Sequence, residues 1–156
     1  MKPFTTSLWF DGKAGEAAQF YCSVFENSKL GKVTPYPEGS KGEAGKPMTV
    51  EFELNGQKFV GINGGPQFTF DEAISFQIHC ADQAEADHYW ARLTEGGEEG
   101  PCGWLKDRFG LSWQVVPDGL MELLSDSDPA RAARASAAMM EMTKIDIDKI
   151  RIAAAG

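Results

Sequence analysis

The stretch Glu16-Ala-Ala-Gln-Phe-Tyr21 has a counterpart 69 residues further on, Glu85-Ala-Asp-His-Tyr-Trp90. In the first copy Ala17, Tyr21 and Val24 stand at i, i+4 and i+7, with Ala18 and Phe25 widening the stripe. That spacing predicts an amphipathic helix over 15–26, and the second copy predicts another over 81–93. A strand precedes each: Thr5 to Phe10 (TTSLWF) before the first, Ile74 to Cys80 (ISFQIHC) before the second. After the first helix, residues 28–36 read as a strand ended by Pro35 and Pro37. The Gly- and Pro-rich stretch 37–47 reads as a loop. Val50, Phe52 and Leu54 then alternate with Thr49, Glu51 and Glu53, the pattern of a half-buried strand. Asn55-Gly56 is the preferred pair for a tight hairpin turn with positive φ at both positions, and Lys58 to Ile62 is the return strand. After the second helix, Pro101–Lys106 and Leu111–Val116 read as a strand pair around Asp107-Arg108-Phe109-Gly110. The repeated order predicts an α+β fold of two βαβββ modules, at about 1–66 and 67–118.

The tail differs. Asp128-Pro129 is an N-cap with proline at the first helical position, so a helix is expected over 129–143. Ile145, Ile147, Ile150 and Ile152 form a further apolar segment. Residues 119–156 thus read as a helical extension of a 1–118 domain, packed on the modules or on a partner subunit.

Of 156 residues, 23 are Asp or Glu and 15 Lys or Arg, a net charge of −8. Nucleic acid and anionic lipid are poor partners for such a chain, since both need clustered basic residues. No apolar run reaches the ~20 residues of a membrane helix, and the N-terminus lacks a signal peptide's apolar core. Cys22, Cys80 and Cys102 form no CxxC pair, so free thiols and a cytoplasmic location are expected. The segment from Asp82 to Glu99 holds six acids against one Arg. It reads as a solvated outer face, and the expected site as nearly neutral and aromatic.

Gly-Glu-Ala-Gly-Lys-Pro (42–47) is no phosphate loop, because Ser40 and Pro47 stand where Gly and Ser or Thr are needed. No GxGxxG follows a strand, which leaves dinucleotide and S-adenosylmethionine sites of that type unsupported. His79 and His88 are not at metal-ligand spacing and read as structural or solvated. The densest segment is Gly100 to Pro117, with Cys102, Trp104, Phe109 and Trp113. It reads either as a hairpin whose rings fill the core or as an aromatic pocket wall with a thiol at its rim. Lys106 and Arg108 would activate Cys102 only if the fold brought them close.

Trp9-Phe10-Asp11-Gly12 with Glu16-Ala17 and Phe20-Tyr21, then Phe68, Ala73-Ile74-Ser75-Phe76, and above all Cys102-Gly-Trp-Leu-Lys-Asp-Arg-Phe-Gly-Leu-Ser-Trp-Gln114, resemble the PhnB-like proteins. The resemblance runs over nearly the whole chain, tail helix included. Its hairpin motif is that of a subgroup often labelled demethylubiquinone methyltransferase-like. These proteins belong to the vicinal oxygen chelate superfamily, with glyoxalase I, bleomycin-resistance proteins and extradiol dioxygenases. The resemblance implies an open, cupped mixed sheet, a homodimer, and in the superfamily's enzymes a divalent metal held from the first and last strands of each module. Here those positions fall on Phe4, Thr5 or Thr6, on Gly61 or Asn63, on Ile74, Ser75 or Gln77, and on Gln114. Neutral amides are weak ligands for such a metal, so no metal or other cofactor is expected.

The reading that follows is a metal-free cup for a small, partly aromatic molecule. Trp9, Trp104 and Phe109 would supply its walls, and Asn63, Gln77 and Gln114 its hydrogen bonds. Two alternatives stay open. One is a metal-independent enzyme using Cys102 as nucleophile or Asp107 as acid or base, although Asp107 equally suits a hairpin cap. The other is a metalloenzyme of lyase or dioxygenase type drawing on His79 and Glu51 or Glu53. Met139, Met140 and Met142 offer apolar surface for a homodimer, or core packing.

Overall fold

A computed structural model describes residues 1–156. The chain folds as two compact units, Met1–Phe70 and Asp71–Gly156, each built on one βαβββ module.

In the first unit β1 (Thr6–Phe10) leads into α1 (Ala14–Val24), followed by β2 (Ser28–Pro35), β3 (Pro47–Leu54) and β4 (Gln57–Asn63). The four strands form a mixed sheet in the order β1-β4-β3-β2, with β1 parallel to β4 and the other pairs antiparallel. The helix forms because Ala14, Ala17, Ala18, Tyr21 and Val24 make one buried stripe. Tyr21 stacks on Phe52 at 6.0 Å, and Phe52 on Phe59 at 5.2 Å. Full burial of one such ring stabilises the unit by roughly 1.5–3 kcal/mol. A Cβ on Gly61 would lie 2.9 Å from the Ala14 methyl. Glycine is therefore what lets α1 lie this close to β4. Asn55 and Gly56 adopt φ of 47° and 81°, as the hairpin turn requires.

In the second unit β5 (Ser75–Cys80) and α2 (Gln83–Thr94) are followed by β6 (Glu98–Glu99), β7 (Trp104–Lys106) and β8 (Ser112–Pro117), in the order β5-β8-β7-β6. Asp82 caps α2 by accepting from the Glu85 N–H at 2.8 Å, and Glu85 reaches back to the Ala81 N–H at 2.6 Å. This reciprocal box fixes where the helix starts. Ala86, Trp90 and Leu93 are its buried stripe.

Expectation and structure part at 98–106. Pro101–Lys106 is not one strand. Glu98 and Glu99 form a two-residue strand, and Cys102 and Gly103 turn the chain with φ of 56° and 83°. The Trp104 N–H closes that turn on the Pro101 carbonyl at 3.0 Å.

The extension is three helices, α3 (Leu120–Leu124), α4 (Pro129–Met140) and α5 (Ile147–Ala155). Asp128 caps α4 through the Ala130 N–H at 2.9 Å, with Pro129 in its first turn. Leu120, Ala135, Ile145, Ile147, Ile150 and Ala154 make a buried cluster against which Val116, Met139 and Met142 pack. The extension is tied to the module of its own unit. The Cys102 and Gly103 N–H groups donate to the Met142 and Thr143 carbonyls at 2.8 and 2.7 Å. The Gln83 amide donates to the Ile145 carbonyl and accepts from the Ile147 N–H, each at 2.9 Å. Lys144 pairs with Asp87 at 2.7 Å. No helix is long and apolar enough to cross a membrane.

Candidate ligand site

Each sheet turns one face to its helix and leaves a far face. In the second unit Leu105, Trp113 and Val115 are buried on the helix side. Side chains alternate along a strand, so their neighbours Trp104, Lys106, Ser112, Gln114 and Val116 belong to the far face. The register aligns these across strands. Trp104 stands opposite Gln114, and Gln114 opposite Gln77. One rung thus carries an indole and two amides. The adjacent rung carries Glu98, Lys106, Ser112 and Ser75. The Gln114 amide donates to the Ser75 hydroxyl at 2.8 Å.

A hollow of about 420 Å³ opens beside these rungs, lined by Trp104, Leu105, Pro101, Gly100, Ser112, Lys106, Glu72, Glu98 and Glu99. Its walls combine apolar surface with a few polar groups, which is the usual make-up of a small-molecule site. Lys106 pairs with Glu72 at 2.5 Å. The hydrogen bond between them holds the Glu72 carboxyl below its ordinary range and the Lys106 ammonium above its own. The Glu99 carboxylate accepts from the Trp90 indole at 2.9 Å.

The lining adds Glu72, Glu98, Glu99 and Lys106 to the sequence candidates, and the hollow is charged where a nearly neutral one was expected. Glu98 and Glu99 end the acidic stretch that reads as a solvated outer face. Two residues are too short to show a strand period, so nothing local placed them on β6.

The remaining sequence candidates lie elsewhere. Trp9 donates to the Gly65 carbonyl at 2.9 Å and meets Phe68 edge-on at 4.9 Å. A Cβ on Gly64 would fall 2.2 Å from its ring, so 64–68 packs directly over the indole. Asn63 pairs with Phe10, whose side chain is buried on the helix side. Its amide accepts from the Ala14 N–H at 2.9 Å and donates to the Pro47 carbonyl at 3.0 Å, capping α1 from a distance where Lys13 supplies no side-chain cap. Asp107 is 3% exposed. It accepts from the Phe109 and Leu111 N–H groups at 2.8 and 3.1 Å and from the Trp113 indole at 2.8 Å. Phe109 lies half-buried in the same turn, outside the lining of the hollow. Cys102 is outside that lining too, its sulfur 3.9 Å from the Met140 sulfur. Of the other thiols, burial pushes Cys80 up to about 12 and raises Cys22. Burial thus works against thiolate formation at both.

The far faces also test the metal that the resemblance implies. At equivalent rungs they present Ser7, Val60 and Glu51 in the first unit and Gln77 opposite Gln114 in the second. One carboxylate beside a hydroxyl and two amides falls short of a divalent metal that wants about three donors from His, Cys or carboxylate. Asn63 is on the wrong face to add to them. Nowhere do three His, Cys, Asp or Glu side chains cluster as a metal site.

Paired βαβββ modules with open far faces define the class: a two-module fold of the vicinal oxygen chelate type. Residues 2–116 match the model of the family described as 3-demethylubiquinone-9 3-methyltransferase, the PhnB-like group, and the chain belongs to that family. The match stops short of the extension, contrary to the reach expected from the sequence. A PhnB protein from Bacillus cereus, described under the same methyltransferase name, is 34% identical with a TM-score of 0.66, covering 74% of this chain and 99% of that one. Protein PA1353 from Pseudomonas aeruginosa is 20% identical at a TM-score of 0.62, covering 75% and 98%. The fosfomycin resistance protein FosX from Mesorhizobium loti shares the fold at 13% identity, with a TM-score of 0.58 and coverage of 80% and 97%. No match was found among curated proteins.

Proposed function

We propose that the protein binds a small, partly aromatic molecule on the far face of its second unit without a metal, in a functional domain formed by residues 1–118. The observation that supports this most is the rung of Trp104, Gln114 and Gln77 beside the hollow. The indole offers a flat stacking surface. The Gln77 amide has no hydrogen bond within the chain and is available to a ligand. Trp9, Asn63 and Phe109 support the fold around their own units in this reading. Cys102 and Asp107 serve the two turns that frame β7, and the chemistry they were candidates for has no support from the hollow. We further propose a homodimer, with Met140, Met121 and Ile152 as exposed apolar surface, and a reducing cytoplasmic setting for the three free cysteines.

A thermal-shift screen of aromatic small molecules tests the site. A true ligand raises the melting temperature by mass action. Trp104→Ala is expected to abolish that shift, whereas Trp9→Ala is expected to preserve it in the folded variant. A shift that survives Trp104→Ala would refute the assignment.

A further inference from the structure

We infer that the hollow of the second unit selects an organic cation: a compact ammonium group carried on a small apolar skeleton. This rests on the hollow being the ligand site and adds the sign of charge that it accepts.

Three carboxylates line the hollow, Glu72, Glu98 and Glu99, against one ammonium, Lys106. Their local sum is therefore −2. Two of the three acids have internal partners. Glu72 holds Lys106 at 2.5 Å, and Glu99 holds the Trp90 indole at 2.9 Å. Glu98 has no hydrogen bond and no ion pair at contact distance, only a longer-range attraction to Lys106. It stands opposite Lys106 in the ladder, one rung from Trp104. The hollow therefore presents a carboxylate without a direct partner, with a half-buried indole on the neighbouring rung.

These two groups suit one ligand chemistry. An indole face attracts a cation through its quadrupole and favours one with a greasy shell. A carboxylate near it adds Coulomb attraction that strengthens as water is displaced. A neutral ligand would desolvate Glu98 with nothing in return, and an anion would meet net negative charge. The walls of Pro101, Leu105 and Trp104 favour a carbon skeleton over a hydrated inorganic ion.

Three probes of similar shape decide the matter, titrated into the full chain and followed by tryptophan fluorescence and NMR: benzyltrimethylammonium, neutral benzyl methyl sulfone, and benzylsulfonate. The cation is expected to bind about tenfold more tightly than the sulfone, and the sulfonate most weakly. Glu98→Gln is expected to remove most of the cation's advantage while leaving the sulfone unchanged. Added salt should weaken only the cation. Glu98 is exposed on a two-residue edge strand, so the variant is expected to keep its melting temperature. If sulfone and cation bind the hollow equally, or Glu98→Gln changes nothing, the charge selectivity is wrong and the ligand site stands. If none of the probes perturbs Trp104, both readings fall.

Discussion

Asp107 shows how far a motif can be read from residue types. Its place in the turn was legible, and capping the hairpin was one of two roles its residue type left open, the other being acid or base. That its second oxygen holds the Trp113 indole was not legible, because only the fold brings ring and carboxylate together. Of the donors it satisfies, the Leu111 N–H and the Trp113 indole are buried, so removing the acceptor strands them. Asp107→Ala is expected to cost about 2–6 kcal/mol of stability by chemical denaturation. Asp107→Asn should cost about 1–3 kcal/mol, because an amide offers only one acceptor oxygen. Adding Trp113→Phe should cost less on the Asp107→Asn background than in the parent, since the indole has by then lost its acceptor. Additive losses would show that the indole bond contributes nothing. Cys102 was illegible for a different reason. Asn55-Gly56 announces a turn with positive φ at both positions, while cysteine adopts such a φ rarely, so Cys102-Gly103 carried only half the signal.

At the scale of elements, long periodic segments were readable and short ones were not. α1, α2, β3 and β4 follow from their apolar spacing. β6 did not, and with it went the carboxylates of the hollow. The extension was readable as apolar, but its seat was not, because it is held largely by backbone groups. A Cβ on Gly103 would stand 3.0 Å from Ile145 and 2.9 Å from the Val115 carbonyl, so the extension and the turn leave no room for a side chain there. Carboxylates add pH dependence to that seat. The Lys144 contact lowers the Asp87 carboxyl, and the α5 N-terminus lowers Asp146 through the Lys149 N–H. A carboxylate depressed in the folded state stabilises above its unfolded value, and the gain is lost as pH falls through the folded value. Both unfolded values lie near 3.8. The extension is therefore expected to loosen below about pH 4. Hydrogen exchange at the Cys102 and Gly103 amides reports it. Exchange there that stays flat from pH 7 to 3, after correction for intrinsic rates, would contradict this. Both pairs are largely solvent-exposed, so salt should shrink the effect.

For the whole molecule, family membership rests on residues 2–116, and the extension is what this chain adds to the matched region. Met121, Met140 and Ile152, all in the extension, are strongly exposed for large apolar side chains. Sedimentation at micromolar concentration is expected to give a dimer. Met140→Lys with Ile152→Lys should shift it to monomer with little change in far-UV circular dichroism. A parent chain that sediments as a monomer would remove the dimer from the proposal.

The two modules differ in phase by one residue. Helix starts are 69 apart, Ala14 and Gln83, whereas the strand ends Phe10 and Cys80 are 70 apart. The loop from β1 to α1 holds the additional residue, and Gly12 there adopts φ of 77°. A one-residue slip inside a strand would turn every side chain to the other face. A residue gained in a loop leaves the faces of a strand in place, whereas one gained inside a strand must be absorbed by a bulge, as the register shifts of β2 show. In terms of descent, Gly12 marks a joint at which the two halves differ in length without disturbing a face. Any comparison of the halves at a fixed offset of 69 sets Gln77 against buried Leu8. The counterpart that shares its face is Ser7.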